Sequence, residues 1–194
     1  MSKKVAFVEL TVFSGVLPLA SGYMEAYCRK DPELAAQLSF EKISMPVSTT
    51  PYETVLEALR KADADIYAFS CYVWNIGMVR RLLAVLLAEK PGAHFILGGP
   101  QVINQAHRYL TPEHENVFIC NGEGERTFYH FMKALLSPER DMRGVRNIGT
   151  EPAYILAILG GTDPGRATWS KQINAQLRAL GMQIDDEGNM VKAS

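Results

Sequence analysis

With 194 residues, 47% of them hydrophobic, the chain can build one ordinary domain with an appendage but falls short of two full domains. Its 20 basic and 21 acidic residues leave a formal net charge of −1 with the signs mixed, so nucleic acid and anionic membrane surfaces are excluded as expected partners. The apolar run 82–88 is too short to span a bilayer, Lys3-Lys4 lead directly into a strand, and Cys28, Cys71 and Cys120 are too dispersed for a disulfide framework; a cytoplasmic protein is expected.

In chain order, β and α patterns alternate. Residues 5–10 form a short apolar run that predicts a buried first strand, and 11–21 a loop containing Gly15 and Pro18. Residues 22–38 read as helix with a break at Asp31-Pro32, and 40–47 as a second strand. Ser48-Thr49-Thr50-Pro51 offers hydroxyl caps for a helix to about Ala62 that buries Val55, Leu56 and Leu59. Residues 65–73 are nearly continuously apolar, as expected of a central strand covered on both faces. Ile76, Val79, Leu83 and Leu86 then repeat at helical spacing up to Pro91-Gly92, and 93–97 predicts a fourth strand. A looser helix over 103–109, a fifth strand over 117–121, and a helix with Phe128, Phe131, Met132 and Leu135 on one face complete the alternation. Strands separated by helices imply an α/β fold, a doubly wound five-stranded parallel sheet with right-handed crossovers.

The pattern changes after Pro138, which divides an α/β domain over 1–138 from an accessory segment over 139–194. In that segment Trp169, Ile173, Leu177 and Leu180 form a helical stripe expected to pack on the parent domain, and 182–192 reads as a hairpin around Asp186-Glu187-Gly188-Asn189.

Three short stretches fall where the third, fourth and fifth strands end: Ser70-Cys71-Tyr72-Val73-Trp74-Asn75, Gly98-Gly99-Pro100-Gln101 and Gly122-Glu123-Gly124-Glu125. Ligands of open α/β sheets bind beyond the carboxyl ends of the strands, so these stretches outline one candidate edge. Each has an ordinary explanation of its own. Ser70 could simply cap the helix that follows, paired glycines suit any strand-to-helix turn, Glu125 favours the helix dipole, and Tyr72 and Trp74 could be core aromatics. In a site, Glu123 and Glu125 would receive hydroxyl or amide donors rather than an anion.

In order and spacing, the three stretches resemble the cobalamin-binding domain at the N-terminus of cobalamin-dependent radical S-adenosylmethionine (SAM) enzymes, over about residues 3–138. The resemblance implies a Rossmann-like, flavodoxin-like cobalamin-binding fold that takes cobalamin base-off, with the nucleotide tail inserted into the domain. Ser70 would contact the tail, Gly98 and Gly99 would give it room, and the Tyr72-Val73-Trp74-Asn75 run would lie beneath the corrin. Cys71, Pro100 and Gln101 belong to the same cofactor-binding turns, Gly122, Glu123, Gly124 and Glu125 would line the tail or the corrin side chains, and the first loop, with Leu17 and Gly22, would close the other side.

Two departures from the family pattern shape the functional reading. The first loop lacks the cobalt-ligating histidine of the methionine-synthase type, since His94, His107, His114 and His130 lie elsewhere, so no protein histidine ligand to cobalt is expected. The Cys-x-x-x-Cys-x-x-Cys run that would hold an iron–sulfur cluster is also missing. The expected function is a stand-alone cobalamin-binding protein, not expected to be an enzyme on its own, that stores, delivers or presents the cofactor to a partner such as a radical SAM enzyme or methyltransferase. The alternatives are a cobalamin-responsive sensor, a flavin-binding domain, or a small enzyme with Cys71 as nucleophile, the last lacking a histidine base at any predicted strand end.

Overall fold

The computed structural model describes residues 2–17, 19–103, 105–110, 115–140, 145, 148–149, 182–184 and 190–192. Strands β1 (Lys3–Thr11), β2 (Leu38–Pro46), β3 (Ile66–Ser70), β4 (His94–Gly98) and β5 (Val117–Cys120) run parallel in the order β2-β1-β3-β4-β5. A two-residue strand, β6 (Ile148–Gly149), adds antiparallel to β5 and extends the sheet past the five strands expected. The order reverses between β1 and β3, and such a switch point opens a crevice at the carboxyl edge.

Helices α1 (Leu19–Arg29), α2 (Pro32–Gln37) and α6 (Gly124–Leu136) are associated with one face, and α3 (Tyr52–Ala62) and α4 (Ile76–Glu89) with the other. Strand alternation sorts the core accordingly. Val5, Phe7, Ile66, Ala68, Ile96 and Phe118 pack with Phe128, Phe131 and Met132 of α6. Ala6, Val8, Tyr67, Phe69, Phe95 and Leu97 pack with Val55, Leu59, Val79 and Leu86 of α3 and α4. A four-residue helix, α5 (Ala106–Tyr109), lies between β4 and β5.

Two local expectations are corrected. Pro51 occupies the N-cap of α3 without a side-chain cap, because Ser48 Oγ instead donates to the carbonyl oxygen of Val12 at 2.8 Å and ties down the loop after β1. Helix α1 begins at Leu19 rather than Gly22, and the Ser21 N–H in its first turn is directed to the Glu9 carboxylate.

The chain forms two compact units, Met1–Thr150 and Glu151–Ser194. In the second, β7 (Met182–Ile184) and β8 (Met190–Lys192) pair antiparallel as the predicted hairpin, while the stripe of Trp169, Ile173, Leu177 and Leu180 lies outside the described residues. No described helix is long and apolar enough to cross a membrane.

Candidate functional site

The ladder between β1 and β3 ends at Val8 and Phe69, so the strand ends beyond that pair are free to splay. A buried amide bridges them. Asn75 Nδ2 donates to the carbonyl oxygens of Leu10 at 2.9 Å and Ser70 at 2.8 Å, and Asn75 Oδ1 accepts the Tyr72 N–H at 2.8 Å. Ser70 therefore does not cap α4; Asn75 occupies its N-cap position and organises the turn.

Ser70 pairs in register with Gly98, and both face the α1 and α6 side of the sheet by alternation from Ala68 and Ile96. Two small residues at adjacent strand ends leave space where larger side chains would meet the helices. That space is a cavity of about 150 Å³, walled by Ser70, Gly98, Cys120, Gly122, Gly124 and Glu125 and reached by Ala20, Ser21 and Met24 of α1. An apolar hole of this volume takes about one small aromatic ring. Ser70 and Tyr72 also border a wider cavity of about 630 Å³, formed with Glu9, Phe13, Leu17, Leu19 and Trp74 at the switch point. The wider one falls within the range of small-molecule sites.

The paired glycines have different duties. A Cβ on Gly98 would meet only Cys120 Cβ at 3.7 Å, an ordinary contact, so its bareness serves the cavity more than the fold. Gly99 has φ +105°, and a Cβ there would lie 2.6 Å from the Cys71 carbonyl oxygen. That close approach belongs to the turn itself, in which the Cys71 N–H donates to Gly98 O at 2.6 Å and the Gln101 N–H to Cys71 O at 3.2 Å.

Tyr72 and Trp74 stack at 4.5 Å between ring centroids with 5° between their planes, and Trp74 Nε1 donates to Leu10 O at 3.2 Å. Trp74 nonetheless stays 47% exposed, and Val73, Phe13, Leu17 and Leu19 beside it in sequence or cavity are exposed too. The edge therefore presents a flat aromatic shelf with apolar surroundings, suited to a large planar ligand.

Of the residues singled out from sequence, Ser70, Tyr72, Trp74, Gly98, Gly99, Gly122, Gly124, Glu125 and Leu17 line the two cavities. Cys71, Val73, Asn75, Pro100, Gln101, Glu123 and Gly22 line neither. Cys71 points into the core on the α3 and α4 side, and burial pushes its thiol up to about 12. Burial likewise raises Cys28 to about 12 and Cys120 to about 11, so each behaves as a small hydrophobe rather than a nucleophile. His94 starts β4 at the opposite edge of the sheet, where burial lowers its pKa, and His130 lies exposed on α6. Glu9, Ser21 and Met24 line the cavities without having been expected there. A carboxylate at the end of an otherwise apolar strand was the signal available for Glu9. Glu9 and Glu125 are the only charged side chains among the described residues lining the two cavities, which disfavours a bare anion.

Comparison with known proteins gives a consistent result. The family described as B12 binding domain matches residues 33–132, just over half of the chain. The cobalamin-dependent radical SAM methyltransferase TokK of Streptomyces tokunonensis is 27% identical over 153 residues, covering 77% of this chain and 22% of that protein. The 2-(S-pantetheinyl)-carbapenam-3-carboxylate methyltransferase of Streptantibioticus cattleyicolor is 29% identical over 154 residues, covering 77% and 22%. The chain thus spans about a fifth of the length of these relatives. Among solved structures, the apo, selenomethionine-labelled cobalamin-dependent S-adenosylmethionine radical enzyme OxsB shares the fold with a TM-score of 0.54 at 19% identity, covering 98% of this chain and 22% of that one.

Proposed function

Because the chain belongs to the B12-binding domain family, we propose that its sheet edge holds cobalamin base-off, without a histidine ligand, and presents it to catalytic machinery of the radical SAM methyltransferase kind. The observation that carries this reading is the in-register pair Ser70 and Gly98, whose small side chains open a ring-sized cavity directly beside the wide apolar one. One cavity suits the nucleotide tail and the other the corrin.

In this reading each group has a physical task. Among the described residues no partner takes the Ser70 hydroxyl, which leaves it free for a tail contact. Gly98 leaves room for the tail, and Gly99 shapes the turn that holds Gly98 in place. The Tyr72 and Trp74 shelf supports the macrocycle, and Phe13 and Leu17 close over its apolar flank and exclude water. The bound cofactor supplies cobalt-based one-carbon chemistry. The chain's own side chains hold and orient it, with no histidine in the loop over 11–22 to reach the metal and no cysteine run for a cluster. The residues past the sheet serve as an accessory segment, and three buried, unpaired thiols support a cytoplasmic setting.

The test is to mix the purified protein with aquacobalamin, desalt it and record the visible spectrum. Retained corrin with a base-off spectrum is expected, and protein that emerges colourless would overturn the reading. Retained flavin under parallel conditions would favour the rival ligand. Paramagnetic resonance of the cobalt(II) form should show no coupling to an axial nitrogen, and such coupling would refute the histidine-free, base-off state.

A further inference from the structure

Glu9 is buried to within 8% of its surface near the carboxyl end of β1. Alternation puts it on the face of Phe7, toward α1. Its Oε1 accepts the Ser21 N–H at 3.4 Å, a long contact, and no other described donor is bonded to the carboxylate. No described Lys or Arg pairs with it or lines the cavity it faces. No described buried side-chain oxygen lacks a partner, so Oε2 is not sealed in the core, and Glu9 is among the residues that line the cavity of about 630 Å³.

Capping α1 needs one acceptor, which a neutral side chain supplies without the cost of burying a charge. A second oxygen left unpaired beside a ligand cavity calls for a donor. A carboxylate only accepts, so it selects N–H and O–H groups and repels phosphate or another carboxylate. The corrin ring carries carboxamide side chains, and the nucleotide tail carries a ribose hydroxyl. We propose that Glu9 accepts a hydrogen bond from a carboxamide N–H of the bound corrin, and so makes the site selective for the fully amidated cofactor. This rests on the corrinoid reading above. The cavity that Glu9 faces adjoins the aromatic shelf, which favours a corrin carboxamide as the donor.

Glu9→Gln keeps the length of the side chain and one oxygen for α1, and replaces the other acceptor with a donor. Spectral titrations of wild type and variant would use aquacobalamin, cobinamide (which lacks the nucleotide tail) and the cobalamin monocarboxylic acids, each with one carboxamide hydrolysed. Wild type should bind aquacobalamin about 10- to 100-fold more tightly than at least one monocarboxylic acid, and Glu9→Gln should weaken aquacobalamin by a similar factor while narrowing that preference. An equal loss for cobinamide assigns the donor to the corrin. A loss confined to cobalamin assigns it to the tail hydroxyl and overturns the proposed selectivity for the amidated ring. Unchanged affinity together with an unchanged acid-to-amide ratio overturns it. Wild type that binds no corrinoid at all instead defeats the functional reading on which it rests. Because the ratio is taken within each protein, partial loss of folded material cannot imitate the expected result.

Discussion

Asn75 Nδ2 donates to the carbonyl oxygen of Leu10, 65 residues earlier in the chain, and so spans the switch point at which the crevice at the carboxyl edge of the sheet opens. The same amide group holds Ser70 O and the Tyr72 N–H. One buried side chain thereby fixes both the strand that supplies the Ser70 hydroxyl and the turn that supplies the aromatic shelf.

Asn75→Ala should therefore lower stability and binding together. It removes the side-chain donors to the Leu10 and Ser70 carbonyls, Leu10 O keeping only Trp74 Nε1, and the acceptor of the Tyr72 N–H, at a side chain that is 1% exposed, and the expected loss is about 2–4 kcal/mol. Asn75→Asp should not rescue it, because a carboxylate restores the acceptor for Tyr72 but sets negative charge against two carbonyl oxygens. Urea denaturation of the three proteins measures this, and an Asp variant as stable as wild type would show that the amide donors are dispensable.

The two adjacent glycines should separate fold from function. Gly98→Leu points its side chain into the smaller cavity with an unstrained Cβ, so it should fold and lose cobalamin retention. Gly99→Ala meets a carbonyl oxygen at 2.6 Å in a left-handed backbone, and should cost about 1–3 kcal/mol before any ligand is added. Thermal melts paired with desalting assays check both. Unaltered retention by folded Gly98→Leu would refute the tail cavity.

That division of labour could not be read from the dipeptide, since it depends on a φ angle and on where Cys71 O lies. Much of the rest was legible. The apolar runs marked β1 to β5, the heptad-like spacing of Phe128, Phe131, Met132 and Leu135 marked the buried face of α6, and the three strand-end stretches carried the family resemblance. Period-2 alternation also separates Ser70 from Cys71, although the run as a whole was singled out. What escaped was non-local. The start of α1 is tied to Glu9, 12 residues upstream, Ser48 turns away from its own helix to hold Val12, and β6 is two residues long, too short for any periodicity to reveal.

The shelf offers a direct optical reading. Trp74 and Trp169 are the only tryptophans, and Trp74 packs on Tyr72 at the mouth of the wider cavity. Corrin binding should quench the Trp74 emission. In Trp74→Ala that component should vanish, affinity should fall about three- to tenfold, and stability should change by about 1 kcal/mol or less because the ring is half-exposed. Undiminished affinity would remove Trp74 from the corrin surface.

The three buried thiols predict the alkaline limit of stability. Burial is the leading cause in each case, with folded values of about 12 for Cys28, about 12 for Cys71 and about 11 for Cys120 against an ordinary 9.0. A folded value raised above the unfolded one means that the contribution is complete below pH 9 and is lost as pH rises toward 11–12, because the unfolded chain releases its thiol protons first. Each thiol then takes away up to about 1.4 kcal/mol per pH unit. Lysines and tyrosines titrate in the same range, so the informative quantity is the difference between proteins. Urea midpoints for wild type and Cys71→Ala should converge between pH 8 and pH 10.5, as the wild type loses a term that the variant never had. Parallel slopes, or rapid labelling of native Cys71 by a thiol reagent at pH 8, would mean that the thiol is not held in the protonated, buried state from which its inertness follows.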